Sequence, residues 1–420
     1  MHNTHPMLLL TIALSPIVGA YLQELAPTPV AGRIVPDLRP FDEAMLSMMQ
    51  KWGLKGGQLA IAKGGKLVFS RSYGDADLNK RRTVELDSLF RIGSVSKTFT
   101  TAAILKLVEA GKLRLSDRVL SLLSHLKPAD GSTVDPRLLE ITVQQLLQHA
   151  GGWQDTEPSF TMPFTGQVTF EVGSPSPPTC ETVIRYQLSK RLDFDPGSKT
   201  SYSNFGFCIL GRIIEAVASA GGKRVPYEEF VEREVLRPAG ITRAKLGGTL
   251  PSERSRAEVR YYGPPNQVLV DSVYPGRGLV PFAYGGLYLR STDSSGGWIA
   301  SAEDLVKFAT AIDGQRGRAL LSPAMFRLML DTPIPTTKAS GLCWTVAKRN
   351  NGVDFWHTGA IKDSSVSWLV RTSEGATLAF VFNSFPADFN RFMGEVIPGI
   401  LELIKAPRTW PQNMSLRWAH

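Results

Sequence analysis

Two pairs of β-prone runs, one near each end of the chain, constrain the fold more than any other feature. "GQLAIAK" and "KLVFSRSYG" stand on either side of the turn at Lys63-Gly64-Gly65, and "SVSWLVRTS" and "TLAFVFNS" flank Glu374-Gly375. Glycine between runs of β-branched and aromatic residues is a hairpin signal. The long stretch between the hairpins reads mostly as helices separated by loops. Thr142 with Gln145, and Ser301 with Asp304, have the spacing of helix-start caps. Hairpins so far apart point to one antiparallel sheet built from both chain ends, with the helical middle forming a second lobe. The expected division is a sheet part at 40–93 and 335–406, a mostly helical insertion at 94–334, and a tail at 407–420. Pro398 lies inside the amphipathic "FNRFMGEVIPGILELI" and should bend or interrupt that helix.

Composition serves mainly to exclude. With 420 residues, 43% apolar and 20% charged, the chain has material for a sizeable core. The net charge of +9 is scattered, and its longest basic run is Lys80-Arg81-Arg82. That pattern reads as a solvated surface, so no nucleic-acid partner is expected. The first twenty residues carry no Lys, Arg, Asp or Glu, and Met7–Ala20 is apolar but too short to span a bilayer. Val18-Gly19-Ala20 ends in the small residue that signal peptidase prefers. Residues 1–20 therefore read as a signal peptide, atypical in lacking a basic side chain, and 21–39 as a proline-rich linker. Export to the periplasm or the medium follows, without stable membrane insertion.

Cys180, Cys208 and Cys343 are odd in number and far apart, which argues against a disulfide framework and a zinc site. Any single disulfide would leave one over. Cys208, in the apolar "NFGFCILGRIIEAV", is expected to be a buried core thiol. There is no His-Glu-x-x-His, no phosphate-cradling loop and no Gly-x-Ser-x-Gly elbow. No metal or cofactor is expected.

"RIGSVSKTFT" puts Ser94 at the start of a helical run and Lys97 one turn later on the same face. A serine hydroxyl needs a partner to take its proton, and a lysine desolvated at the positive end of a helix can do so. The Ser94 backbone N–H can also point at a developing oxyanion. A second match, Ser124-x-x-Lys127, is followed at once by Pro128, which ends any helix there. It is noise. His149 in "LLQHAGG" reads as a structural histidine satisfying the turn before Gly151-Gly152, although an imidazole would also suit a Ser/Lys site.

Five stretches in order, "RIGSVSKTFT", "ITVQQLLQHAGG", "DPGSKTSYSNFGFCILGRIIE", "GGWIASAEDLVKFATAI" and "FWHTGAIKDSS", together resemble the serine β-lactamase and penicillin-binding family. The class C-like branch, with its D,D-peptidases and esterases, is the nearest in pattern, and the resemblance runs from about residue 40 to 405. It implies an α/β (α+β) fold, an antiparallel sheet flanked by helices with an all-helical lobe beside it and a cleft between. By position it makes Ser94 the acylated nucleophile, Lys97 its proton partner, and Tyr202 the phenol that takes or relays a proton. No other tyrosine is followed two residues later by asparagine. Asn204 would bind the acyl side of the substrate. His357, Thr358 and Gly359 would lie on the strand that docks the substrate, Gly359 leaving room for it. The Ala360 N–H would join that of Ser94 in the oxyanion hole.

Histidine at 357 departs from the lysine usual in class C β-lactamases, which counts against efficient β-lactam hydrolysis. With an ordinary pKa near 6.5, it would attract a substrate carboxylate at low pH and release it by pH 8. The expected protein is an exported serine hydrolase acting through an acyl-enzyme on an ester, an amide or a D-amino-acid peptide. A β-lactamase, or a penicillin-binding or assembly module without turnover, is the alternative. The complete motif set argues for turnover, and the long loops at 155–180 and 251–295 would choose the substrate.

Overall fold

The structure is a computed structural model that describes residues 27–129, 131, 133–154, 166–315, 317–334, 341–406 and 410. The signal segment read at 1–20 and nearly all of the tail lie outside them. In chain order the elements that build the site are α1 (Arg39–Trp52), β1 (Gly56–Lys63), β2 (Lys66–Asp77), α2 (Ser96–Glu109), α3 (Cys180–Leu188), α4 (Asn204–Ala218), α5 (Ala302–Ala311), β3 (Thr345–Arg349), β4 (Gly352–Ile361), β5 (Ser365–Arg371), β6 (Ala376–Phe382) and α6 (Phe389–Lys405).

One antiparallel sheet holds both chain ends together. Its order is Val30–Ala31, β2, β1, β6, β5, β4, β3, with Arg82–Thr83 pairing beside β2. The closing seam is β1 on β6, with Ala60 opposite Ala379. Gly64 and Gly65 turn the first hairpin at φ of +56° and +75°, the left-handed geometry that two-residue hairpins need. Within the proline-rich stretch read as a linker, Val30–Ala31 pairs with Ser72–Tyr73, and Val35 and Leu38 are buried.

Both faces of the sheet are covered, so β1, β5 and β6 are buried almost throughout their length and not on alternate residues. Leu378, Phe380 and Phe382 of β6 face α1 and α6, while Ala379 and Val381 face the helical lobe. Helical spacing supplies the cover, with Phe41, Met45 and Met49 on α1, and Phe392, Val396, Ile400 and Ile404 on α6. Each fully buried side chain of this kind contributes about 1.5–3 kcal/mol. Helix α6 runs through Pro398 without interruption. The proline sits on the exposed side, and the carbonyl it leaves unbonded belongs to exposed Gly394, where water can satisfy it.

In the lobe, the caps at Thr142–Gln145 and Ser301–Asp304 form as expected. The cysteine reading is corrected: Cys180 and Cys208 are joined by a disulfide that fastens the first residue of α3 to α4. Cys208 is buried, but it is not a thiol. An odd count left one pair open, and the fold brings those two Cα atoms to 6.0 Å while Cys343 stays free. No helix among the described residues is long and apolar enough to cross a membrane.

Candidate active site

Gly93 starts the site. Its φ of +50° is left-handed, and a Cβ there would stand 2.7 Å from the Ala360 amide nitrogen, so only glycine fits twice over. The chain then makes one 3₁₀ turn, Gly93–Val95, and enters α2 at Ser96. Every α2 residue from Ser96 to Leu105 is buried. That buries Lys97 completely, at 0% exposure.

A buried ammonium needs acceptors to offset its lost water. Lys97 Nζ donates to Ser94 Oγ (3.2 Å), Asn204 Oδ1 (2.7 Å) and the Ser295 carbonyl (2.6 Å). Tyr202 Oη donates to Ser94 Oγ at 2.6 Å, and its ring centroid lies 4.9 Å from Lys97 Nζ. Ser203 caps α4 by accepting from the Gly206 N–H, which makes Asn204 the first helical residue and leaves Tyr202 in the non-helical chain before it. The four side chains predicted for this chemistry therefore meet in one hydrogen-bonded set.

Strand β4 forms the opposite wall. Strand β3 pairs with its first half only, Gly352 to Trp356, so the ladder from His357 onward has β5 on one side. Gly359 packs against the 92–95 turn, where a Cβ would collide with the Ile92 carbonyl oxygen and Ser367 Oγ. Its missing side chain thus serves the docking of strand on turn. That docking sets the Ala360 amide beside the segment that carries the Ser94 amide.

His357 is corrected in its electrostatics. His357 as a whole is 7% exposed, and its Nδ1 meets the Thr358 carbonyl at 2.6 Å. Burial first, then the charge of Lys97, push its pKa down to about 4, against a smaller upward pull from that bond. It is neutral throughout the range where an ordinary histidine changes charge. His149 does close the turn before Gly151-Gly152, at φ +55°, and its ring also lies against Tyr202 with centroids 4.5 Å apart.

Two features had no signature among the motifs. The Ser295 carbonyl that holds Lys97 is backbone, and only the turn-prone "TDSSGGW" marks the place. It is steadied by Asp293, which accepts from the Ser294 N–H and hydroxyl and pairs with Arg212 at 2.6 Å. Among the described residues no cluster of His, Cys, Asp or Glu is placed to hold a metal.

A sheet closed from both chain ends over a helical lobe, with a Ser-x-x-Lys turn packed against strand β4, defines the β-lactamase/transpeptidase fold. A sequence profile of the beta-lactamase family matches residues 41–397, and the chain belongs to that family. Among solved structures it is similar to the D-amino acid amidase from Ochrobactrum anthropi SV3 (TM-score 0.66, 24% identity, covering 87% of this chain and 99% of that one). It is similar also to EstCE1, a hydrolase with promiscuous acyltransferase activity (TM-score 0.65, 18% identity, covering 87% and 98%). A probable fimbrial assembly protein FimD of Dichelobacter nodosus is 29% identical over 188 residues, 45% of this chain and 44% of that protein. The chain thus spans less than half the length of the curated relatives it matches.

Proposed function

We propose that the protein is a serine hydrolase that forms an acyl-enzyme on Ser94. Its substrate is an ester, an amide or a D-amino-acid peptide, uncharged where it meets His357. One observation carries this reading: Ser94 Oγ is held at once by Lys97 and Tyr202, at 3.2 and 2.6 Å. Once Tyr202 has given up its own proton beside the Lys97 ammonium, the bond reverses: Ser94 Oγ–H donates to Tyr202 Oη and passes its proton there as Oγ attacks the carbonyl carbon. The Ser94 and Ala360 amides stabilise the oxyanion, helped by the positive end of α2. Tyr202 then gives the proton to the leaving group as its bond to carbon breaks. Water repeats the sequence to release the acid.

The neutral state of His357 supports an uncharged substrate group there. The amidase and the hydrolase among the similar structures support the reaction class at the level of fold. Export belongs to the same reading, supported by the apolar N-terminus and by a disulfide of the kind found in oxidising compartments. The fimbrial-assembly relatives favour a second reading, an assembly module without turnover.

Covalent labelling separates the two. A fluorophosphonate probe followed by mass spectrometry is expected to modify Ser94, to lose the adduct in Ser94→Ala and to keep it in Ser124→Ala. Unchanged labelling of Ser94→Ala would overturn the mechanism, and no labelling of the folded native chain would favour the module. A panel of p-nitrophenyl esters, D-Ala-D-Ala peptides and nitrocefin then ranks the leaving groups.

A further inference from the structure

Tyr202 is held from both flanks by a single residue. The His149 carbonyl accepts the backbone N–H of Ser201 at 2.8 Å, and His149 Nδ1 accepts the backbone N–H of Ser203 at 3.0 Å. Between those two bonds the imidazole lies against the phenol ring, with planes tilted by 31°. His149 is itself fixed, since its N–H bonds the Leu146 carbonyl at the end of the helix Val143–Leu147. A residue that only closed this turn would need its backbone alone. The side-chain acceptor reaches across to the neighbour of Tyr202.

We propose that His149 is a positioning residue: by clamping Ser201 and Ser203 it sets where the Tyr202 phenol stands against Ser94 Oγ, and so the rate of acylation. The proposal rests on the reading of Tyr202 as the proton carrier. Bonds on both sides of one residue leave its peptide planes little freedom to rotate, and the ring contact restricts the phenol itself. Proton transfer across the 2.6 Å from Ser94 to Tyr202 depends on that placement. An accepting Nδ1 must carry no proton. Burial first, then the charge of Lys97, hold His149 well below the usual histidine range, which keeps the acceptor available.

The test uses two substitutions that both tolerate a left-handed backbone, so that strain does not separate them. His149→Gly removes the side-chain acceptor, whereas His149→Asn puts Oδ1 close to the place of Nδ1. Acylation is read as the rate of fluorophosphonate labelling, and as kcat and KM for a p-nitrophenyl ester, with melting temperatures recorded for each variant. His149→Gly is expected to slow acylation by about 10-fold or more, toward the 10²-fold that a misplacement of about 1 Å costs, through kcat and with little change in KM. His149→Asn should recover most of that loss. In a Tyr202→Phe background His149→Gly should have little further effect, because both act through the same proton transfer. If His149→Gly does not fold, His149→Ala replaces it, with its melting temperature used to separate the added left-handed strain from the loss of the acceptor.

Acylation at the native rate in His149→Gly overturns the proposal. So does an Asn variant as slow as the Gly variant, or losses that multiply in the Tyr202→Phe background. A Tyr202→Phe enzyme that acylates at the native rate overturns the role of Tyr202 itself, and the clamp falls with it. In the other cases the serine mechanism stands.

Discussion

At His357 the same side chain reads differently in sequence and in structure, and a proton makes the difference. A free imidazole loses its charge near pH 6.5, but this one is buried beside Lys97 and stays neutral down to about pH 4. It offers no charge for a carboxylate to follow. Profiles of kcat/KM for one anionic and one neutral substrate should therefore run parallel between about pH 5.5 and 8.5. An anionic substrate that alone loses affinity across that window would show His357 titrating there after all. The shift also has a sign for stability. Between about pH 6.5 and 4 the unfolded chain takes up a proton that the folded His357 refuses, so stability falls as pH falls through that interval. His357→Asn should flatten this part of the dependence of melting temperature on pH; an unchanged slope would assign the loss to other groups. Ser94, Lys97 and Tyr202 were legible because their chemistry is written in side chains at fixed spacing. The Ser295 carbonyl was not, because every residue carries one.

Between elements, the contact that matters most is strand β4 against the Gly93–Val95 turn. Two glycines make it possible from opposite sides, and Ser367 Oγ ties the turn down by donating to the Ile92 carbonyl at 2.7 Å. Gly359→Ala has no space that a side-chain rotation could open, since backbone is among the atoms in the way. It should cost about 1–3 kcal/mol, the usual scale of overpacking, and displace the Ala360 amide so that labelling of Ser94 slows. Gly375→Ala is the control. It meets nothing within 4 Å but sits at φ +79°, so it should cost about 1–2 kcal/mol in backbone strain and leave labelling alone. Equal labelling rates in the two variants would remove the docking argument. The hairpins and caps were readable in advance because turn glycines and capping boxes act locally. The uninterrupted path of α6 through Pro398 was not, because exposure decides it and exposure is a property of the packed molecule.

On the scale of the whole molecule, the sequence pattern was enough for a sheet made from both ends of the chain, since hairpin signals lay at each end with helices between. Strand order and the pairing of Cys180 with Cys208 lay beyond it, because they depend on which distant segments the core brings together. That bond closes a loop spanning 28 residues, with Tyr202 and Asn204 inside it. Replacing both cysteines by alanine should lower stability by about 3–4 kcal/mol on the loop-entropy scale, measured by urea unfolding. A loss near zero would mean that the folded lobe holds this loop without help. The bond also turns the protein into a record of where it folded. Trapped with iodoacetamide under denaturing conditions, a chain oxidised on export adds one carbamidomethyl group, at Cys343, whereas a chain kept in a reducing cytosol adds one at each of its three cysteines. Two such additions separate the populations by mass, and a single intact-mass spectrum of native material reports the compartment.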